Sequence, residues 1–203
     1  MSGEHPSLPG RLADELLADS AEAWPVAASE PAYQSAYVSV TVDTIVDRDG
    51  AEHSRAVVRP NGAIGVLALD DGDRLLLVEQ YRHAVGRRLI EIPAGTLDVA
   101  GEAPRDAAAR ELAEEADLHA ADWQSLLHLL ATPGYSSEGW EVFRATGLRA
   151  VPEADRTTRE AEEADMAQWW LPFDRAVDAV LAGRITDSMT VAAILAEQVL
   201  RSR

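Results

Sequence analysis

GTLDVAGEAPRDAAARELAEEADL, residues 95 to 118, holds five carboxylates from residue 106 onward: Asp106, Glu111, Glu114, Glu115 and Asp117. Pro104 stands where a first helical turn begins, and Ala107, Ala108 and Ala109 favour a helix. Glu111, Glu114 and Glu115 are spaced i, i+3, i+4, so a helix carries them on one face. Like charges at that spacing weaken a bare helix by roughly a few tenths of a kcal/mol per pair. Arg110 is the one basic residue among them, and helical geometry turns it to another face. Three convergent carboxylates suit a hard divalent cation, which takes oxygen ligands. The competing reading is a solvated acidic face on an acidic protein.

Outward from this helix, the chain reads as strands. Before it, Tyr37 to Val46 alternates with period two, Asp47 to Gly50 turns the chain, and a return strand passes through Arg55 to Val58. Ala63 to Leu69 is a continuous apolar strand, Asp70 to Asp73 a turn, and Arg74 to Gln80 another strand. Leu89 to Pro93 leads back to the helix. After it, strands are expected over Trp123 to Ala131, Glu141 to Gly147 and Gln168 to Pro172. Pro152 to Asp165 is a long charged loop without apolar periodicity, a length that points to function. Phe173 to Ala182 is a helix stopped by Gly183, and Asp187 or Ser188 caps a last helix reaching about Leu200. This order predicts an α/β fold with a mixed sheet sandwiched by helices.

The stretch resembles the Nudix box, G-x5-E-x7-R-E-U-x-E-E-x-G-U with U aliphatic. Gly95, Glu102, Arg110, Glu111, Leu112, Glu114, Glu115 and Leu118 match it. Two positions depart: six residues, not five, separate Gly95 from Glu102, and Asp117 replaces the second Gly. Gly suits that place because helices often end on a left-handed residue, and Asp tolerates that conformation better than most. EQYRHAVGRRLIEIPAGTLD (79 to 98), TPGYSSE (132 to 138) and EEADM (162 to 166) extend the resemblance to the ADP-ribose pyrophosphatase branch of the Nudix hydrolases.

That resemblance implies a Nudix-type α/β/α sandwich, residues 59 to 203, behind an N-terminal arm (1 to 23) and N-terminal strands (24 to 58) that serve dimerisation. It implies cleavage of ADP-ribose to AMP and ribose 5-phosphate with Mg²⁺ or Mn²⁺. It places the metal on Glu111, Glu115 and the Ala94 carbonyl, with Glu114 joining, and makes Gly95, Glu102 and Arg110 structural. It sets Arg82 on the pyrophosphate, with Arg55 and Arg59 weaker candidates, and Glu138 in a substrate loop. Adenine would stack on an aromatic of the N-terminal strands, for which Tyr37 is nearest although Val38 holds the matching position. The general base falls at Glu163, with Glu162 one register away. The alternatives are a Nudix enzyme for another nucleoside diphosphate sugar or dinucleotide, and a module that senses ADP-ribose without cleaving it.

Composition narrows the partners. The 203 residues carry a net charge of −17, against a nucleic-acid surface, which needs a basic patch. All eighteen basic residues are Arg, and there is no Cys for disulfide or thiol chemistry. With no apolar run near 18 residues and no leader pattern, a soluble cytoplasmic homodimer acting on a small nucleotide is expected, with no membrane contact. Leu8, Leu12, Leu16 and Leu17 hint at a short helix in the arm.

Overall fold

The computed structural model describes residue 3 and residues 5–13, 16–158 and 165–203. Its strands are β1 (Val26–Gln34), β2 (Val38–Val46), β3 (Glu52–Pro60), β4 (Ala63–Ala68), β5 (Arg74–Arg82), β6 (Arg87–Glu91), β7 (Ala94–Thr96), β8 (Leu118–Leu130), β9 (Gly139–Ala150) and β10 (Ala167–Pro172). Its helices are α1 (Pro104–Ala116), α2 (Phe173–Leu181) and α3 (Ser188–Arg201).

The continuous apolar run of β4 is explained by burial on both faces. Alternate residues point to opposite sides. Ile64, Val66 and Ala68 join Leu76, Ala107, Ala108, Leu112 and Phe143 in one core beneath α1. Leu67 and Leu69 join Leu75, Leu77, Val142, Phe173 and Ile194 in a second core beneath α2 and α3. The sheet ordered β7-β4-β9-β8 is mixed: β4 runs parallel to β9 and antiparallel to β7, while β8 is antiparallel to β9. A second sheet, β10-β5-β6, is antiparallel and continues from β4 through the Leu69–Leu75 bridge. Helices therefore cover both faces of the strands, as the α/β/α expectation required.

The N-terminal strands form a separate antiparallel sheet, β1-β2-β3, rather than a bare hairpin. β1 lies within the expected N-terminal strands; it is exposed throughout and contains Pro31, which suits an edge. β3 attaches this sheet to the body: the Val58 amide donates to the Tyr135 carbonyl at 2.8 Å, and the Ser137 amide to the Val58 carbonyl at 3.0 Å. The helix hinted at in the arm does not form among its described residues. Pro6, Pro9 and Gly10 interrupt it, and an isolated helix shorter than about 12 residues is marginal in water. β6 starts at Arg87, before the Leu89 of the expected segment, because Arg87 and Arg88 pair with Arg82 and Tyr81 of β5. β8 starts directly after α1, earlier than its apolar pattern indicated. Among the described residues no helix is long and apolar enough to cross a membrane.

Candidate active site

α1 starts on Pro104 and ends on Asp117, whose φ of 54° is the left-handed closure that the sequence required there. The Asp117 amide donates to the Ala113 and Leu112 carbonyls, and its own carbonyl accepts from Val151 at 2.8 Å. The helix is thus stopped on a fixed line, and its acidic face meets the turn from β6 to β7. Glu115 is buried, and its Oε2 accepts the Ala94 amide at 2.9 Å. Gln168 of β10 donates to the Glu115 main-chain carbonyl at 3.0 Å. Glu111 lies flat on Gly95: a Cβ there would sit 2.0 Å from the Glu111 carboxyl carbon. Gly95 is required by this close approach.

Arg110 does not turn away from the acidic face. Its Nε and Nη2 bond Glu102 at 3.2 and 3.1 Å, and its Nη1 bonds Glu111 at 2.7 Å and Glu114 at 3.1 Å. The long guanidinium reaches from its own helical position across one turn, which spacing along the helix does not reveal. Its pKa is pushed further above the usual arginine value, first by the hydrogen bond to Glu102 and then by the Glu111 charge, against the opposing effect of burial. Among the described residues no three carboxylates or imidazoles converge into a closed cation cage. The donor set nevertheless fits a hard cation that keeps several of its waters and takes one or two carboxylates. Glu111 and Glu115 flank Ala94–Gly95 from one helix face, and the Gly95 cradle leaves room for the Glu111 carboxylate.

Beside that face lies a cavity of about 300 Å³ lined by Arg82, Glu91, Ala94, Gly95, Glu138 and Asp187, among others. Arg82 ends β5, and Glu91 ends β6 opposite Val78. Glu91 is buried and receives Arg82 in a forked pair, Nε to Oε1 at 3.0 Å and Nη2 to Oε2 at 2.6 Å. This pair raises the Arg82 pKa despite burial, and the Glu115 and Asp187 charges add to it. Among the described residues none accepts from Nη1, and that edge of the guanidinium faces the cavity side open to an anion.

The structure therefore brings Arg82, Glu138, Ala94 and Gly95 to one cavity. Glu115 and Glu111 of α1 meet that lining at Ala94 and Gly95, and Glu102, Glu111 and Glu114 are tied together by Arg110 outside it. It does not bring Tyr37 or Arg55 there within one chain. Tyr37 is 70% exposed before β2, and Arg55 is exposed in mid-β3, its Nη1 on the Ser54 carbonyl. Glu162 and Glu163 lie outside the described residues. Sequence reading missed Glu91 and Asp187. A lone carboxylate inside the apolar run Leu89–Ile92 was a readable sign of a buried partner, whereas nothing local connects Asp187 to the cavity.

Comparison with known proteins gives four findings. Residues 59–190 match the NUDIX domain. The chain is similar to the ADP-ribose pyrophosphatase of Mycobacterium tuberculosis, 45% identical over 170 residues, covering 83% of this chain and 80% of that protein. It is also similar to the methanol dehydrogenase activator of Bacillus methanolicus, 32% identical over 82% of this chain and 88% of that one. Among solved structures, an ADP compounds hydrolase superposes with a TM-score of 0.75, covering 90% of this chain and 96% of the other at 21% identity. At that identity the likeness speaks for the fold.

Proposed function

This chain belongs to the Nudix family, and from that premise we propose that it is a divalent-cation-dependent pyrophosphohydrolase cleaving ADP-ribose to AMP and ribose 5-phosphate. The observation that carries the reading is the make-up of the cavity. One guanidinium, Arg82, whose Nη1 meets no acceptor among the described residues, faces a lining that also holds Glu91, Glu138 and Asp187, and that lining touches Glu115 and Glu111 of α1 at Ala94 and Gly95. An anionic pyrophosphate meets net negative charge there unless a cation accompanies it. That is the environment of a cation-assisted phosphoryl site and not of a simple anion pocket. The 45% identity to an ADP-ribose pyrophosphatase supports the substrate.

Within the cation set, Glu111, Glu115 and the Ala94 carbonyl would hold Mg²⁺ or Mn²⁺, with Glu114 alongside once it leaves Arg110. Such a cation supplies charge neutralisation at the pyrophosphate and an activated water. The chain's own residues do the rest. Arg82, held by Glu91, offers Nη1 to a phosphate oxygen, a role that suits the planar, always charged arginine fork. Glu138 faces the substrate from the loop before β9. The carboxylates committed to the cation make poor bases, so a carboxylate of the 152–165 segment takes the proton of the attacking water, Glu163 first and Glu162 next. In a homodimer built through β1, β2 and β3, Tyr37 and Arg55 would be offered to the cavity of the second copy.

A screen of nucleotide sugars, dinucleotides and nucleoside triphosphates with Mg²⁺ or Mn²⁺ tests this reading. AMP and ribose 5-phosphate from ADP-ribose is the expected result. Faster turnover of another nucleoside diphosphate derivative would move the substrate and keep the chemistry. Tight ADP-ribose binding without cleavage would replace an enzyme by a sensor.

A further inference from the structure

The turn Ile92–Pro93–Ala94 is pinned at three successive residues from three different elements. The Pro93 carbonyl accepts the Val66 amide of β4 at 2.8 Å. The Ala94 amide donates to Glu115 of α1 at 2.9 Å. The Ile92 amide donates to the Thr190 hydroxyl of α3 at 3.0 Å, across 98 residues of sequence. Pro93 has no N–H, so Ile92 and Ala94 supply the only two amide donors of the turn.

Thr190 is fully buried. Its hydroxyl accepts from Ile92 and must then donate elsewhere, and Asp187 Oδ2 lies 2.7 Å away. A carboxylate only accepts, so the chain of hydrogen bonds has one direction: Ile92 amide to Thr190 hydroxyl to Asp187 carboxylate. The same Asp187 oxygen accepts the Thr190 amide at 2.8 Å, capping α3. Between them Met189 fills the space above Gly65, where a Cβ would come within 2.4 Å of its sulfur. Asp187, Met189, Ile92 and Ala94 all line the active-site cavity. The first turn of α3 is therefore fitted against the turn that presents Ala94 to the carboxylates of α1.

From this arrangement we infer that Asp187 and Thr190 are positioning residues of the active site. They hold Ile92 so that Ala94 keeps its place against Glu115, and they thereby fix the backbone end of the cation site. The inference rests on the reading of the cavity as a cation-assisted site. Loss of such an outer partner typically costs about 10- to 100-fold in metal affinity.

The test compares Thr190→Val, which keeps shape and removes the hydroxyl, with Thr190→Ser, which keeps the hydroxyl. Mn²⁺ affinity is read by electron paramagnetic resonance, and the Ala94 amide is followed by hydrogen exchange without metal. Thr190→Val is expected to weaken Mn²⁺ binding about 10-fold, lower kcat more than it changes KM, and speed exchange at Ala94. Thr190→Ser is expected to stay within about twofold of wild type on each reading. If Thr190→Val does not fold, Asp187→Ala gives the same comparison from the partly exposed end of the chain of hydrogen bonds. A folded variant whose Mn²⁺ affinity changes less than about fivefold and whose Ala94 amide stays protected overturns the inference. Should wild type bind no Mn²⁺, the proposed function fails, while exchange at Ala94 still decides the positioning role.

Discussion

Replacing Arg82 separates what the forked pair does for stability from what it does for substrate. Glu91, about 4% exposed in the wild type, loses its partner in Arg82→Ala. Removing one member of a fully buried pair costs about 3–5 kcal/mol. Arg82 is itself 42% exposed at the side chain, so water enters through the cavity and screens the orphaned carboxylate. A discount to about 2 kcal/mol follows. For a chain of this length that is a fall in Tm of roughly 4–8 °C, measured by calorimetry. The double variant Arg82→Ala/Glu91→Gln replaces the buried charge by an amide and should regain about half of the loss. Activity should behave otherwise. A charge-assisted hydrogen bond to phosphate is worth about 1.5–3 kcal/mol, so both variants should lose roughly 10- to 100-fold in kcat/KM, chiefly through KM. If Arg82→Ala melts with wild type, Glu91 is not held by this pair as argued. If the double variant recovers activity with stability, Arg82 does not touch substrate.

Four further outcomes are expected. Glu163→Gln should lower kcat by about 100-fold or more with KM and metal affinity little changed, and Glu162→Gln should keep most activity; the reverse ranking moves the base by one residue. Gly95→Ala places a methyl 2.0 Å from the Glu111 carboxyl carbon, so Glu111 must move, and calorimetric Mn²⁺ titration should show about 10-fold weaker binding; unchanged affinity would remove Glu111 from the cation set. Asp43 in the N-terminal sheet is held down to about 2 by the Ser29 hydroxyl first, then by the Arg59 guanidinium and the Thr41 hydroxyl. Its folded value lies below the ordinary 3.8, so its contribution is complete above that pH and is lost as pH falls through about 2; a carboxyl titration by NMR with its midpoint at the ordinary value would contradict this. Light scattering should give twice the 21.9 kDa of one chain, and charged residues at the exposed Val26 and Tyr33 of β1 should lower that mass and the activity together; an active monomer would exclude the shared site.

Much of this molecule is visible in single residues and their spacing because the forces involved are local. The period-two runs of β2 and β5, the unbroken apolar β4 and the start and stop of α1 each express burial or backbone preference within one element. Gly95 and Asp117 are legible for the same reason, since each answers a geometric demand at its own position. What stayed hidden depends on which elements come together. Arg82 meets Glu91 only through the β5–β6 register, and Ile92 meets Thr190 only after α3 packs on β4. Arg110 was misjudged because Cβ direction says little about where a long guanidinium ends. β1 falls within the expected N-terminal strands, but its own bounds were not legible because an exposed edge strand containing Pro31 has no apolar alternation to show.

The division of β4 between two cores also sets where this chain can change length. Dropping one residue from β4 would exchange the contents of both cores at once, sending Ile64 and Val66 under α3 and Leu67 under α1. The bend between β7 and α1 lies outside both cores: Val99 is half exposed, and among the described residues nothing comes within 4 Å of a side-chain position at Gly101. The extra residue between Gly95 and Glu102 sits in this bend, and loop closure there costs little more when lengthened. A peptide tag or fluorescent reporter spliced at residues 99–101 would therefore ride a few residues from the acidic face of α1 without disturbing either core, whereas the same insertion in β4 would leave no folded protein to label.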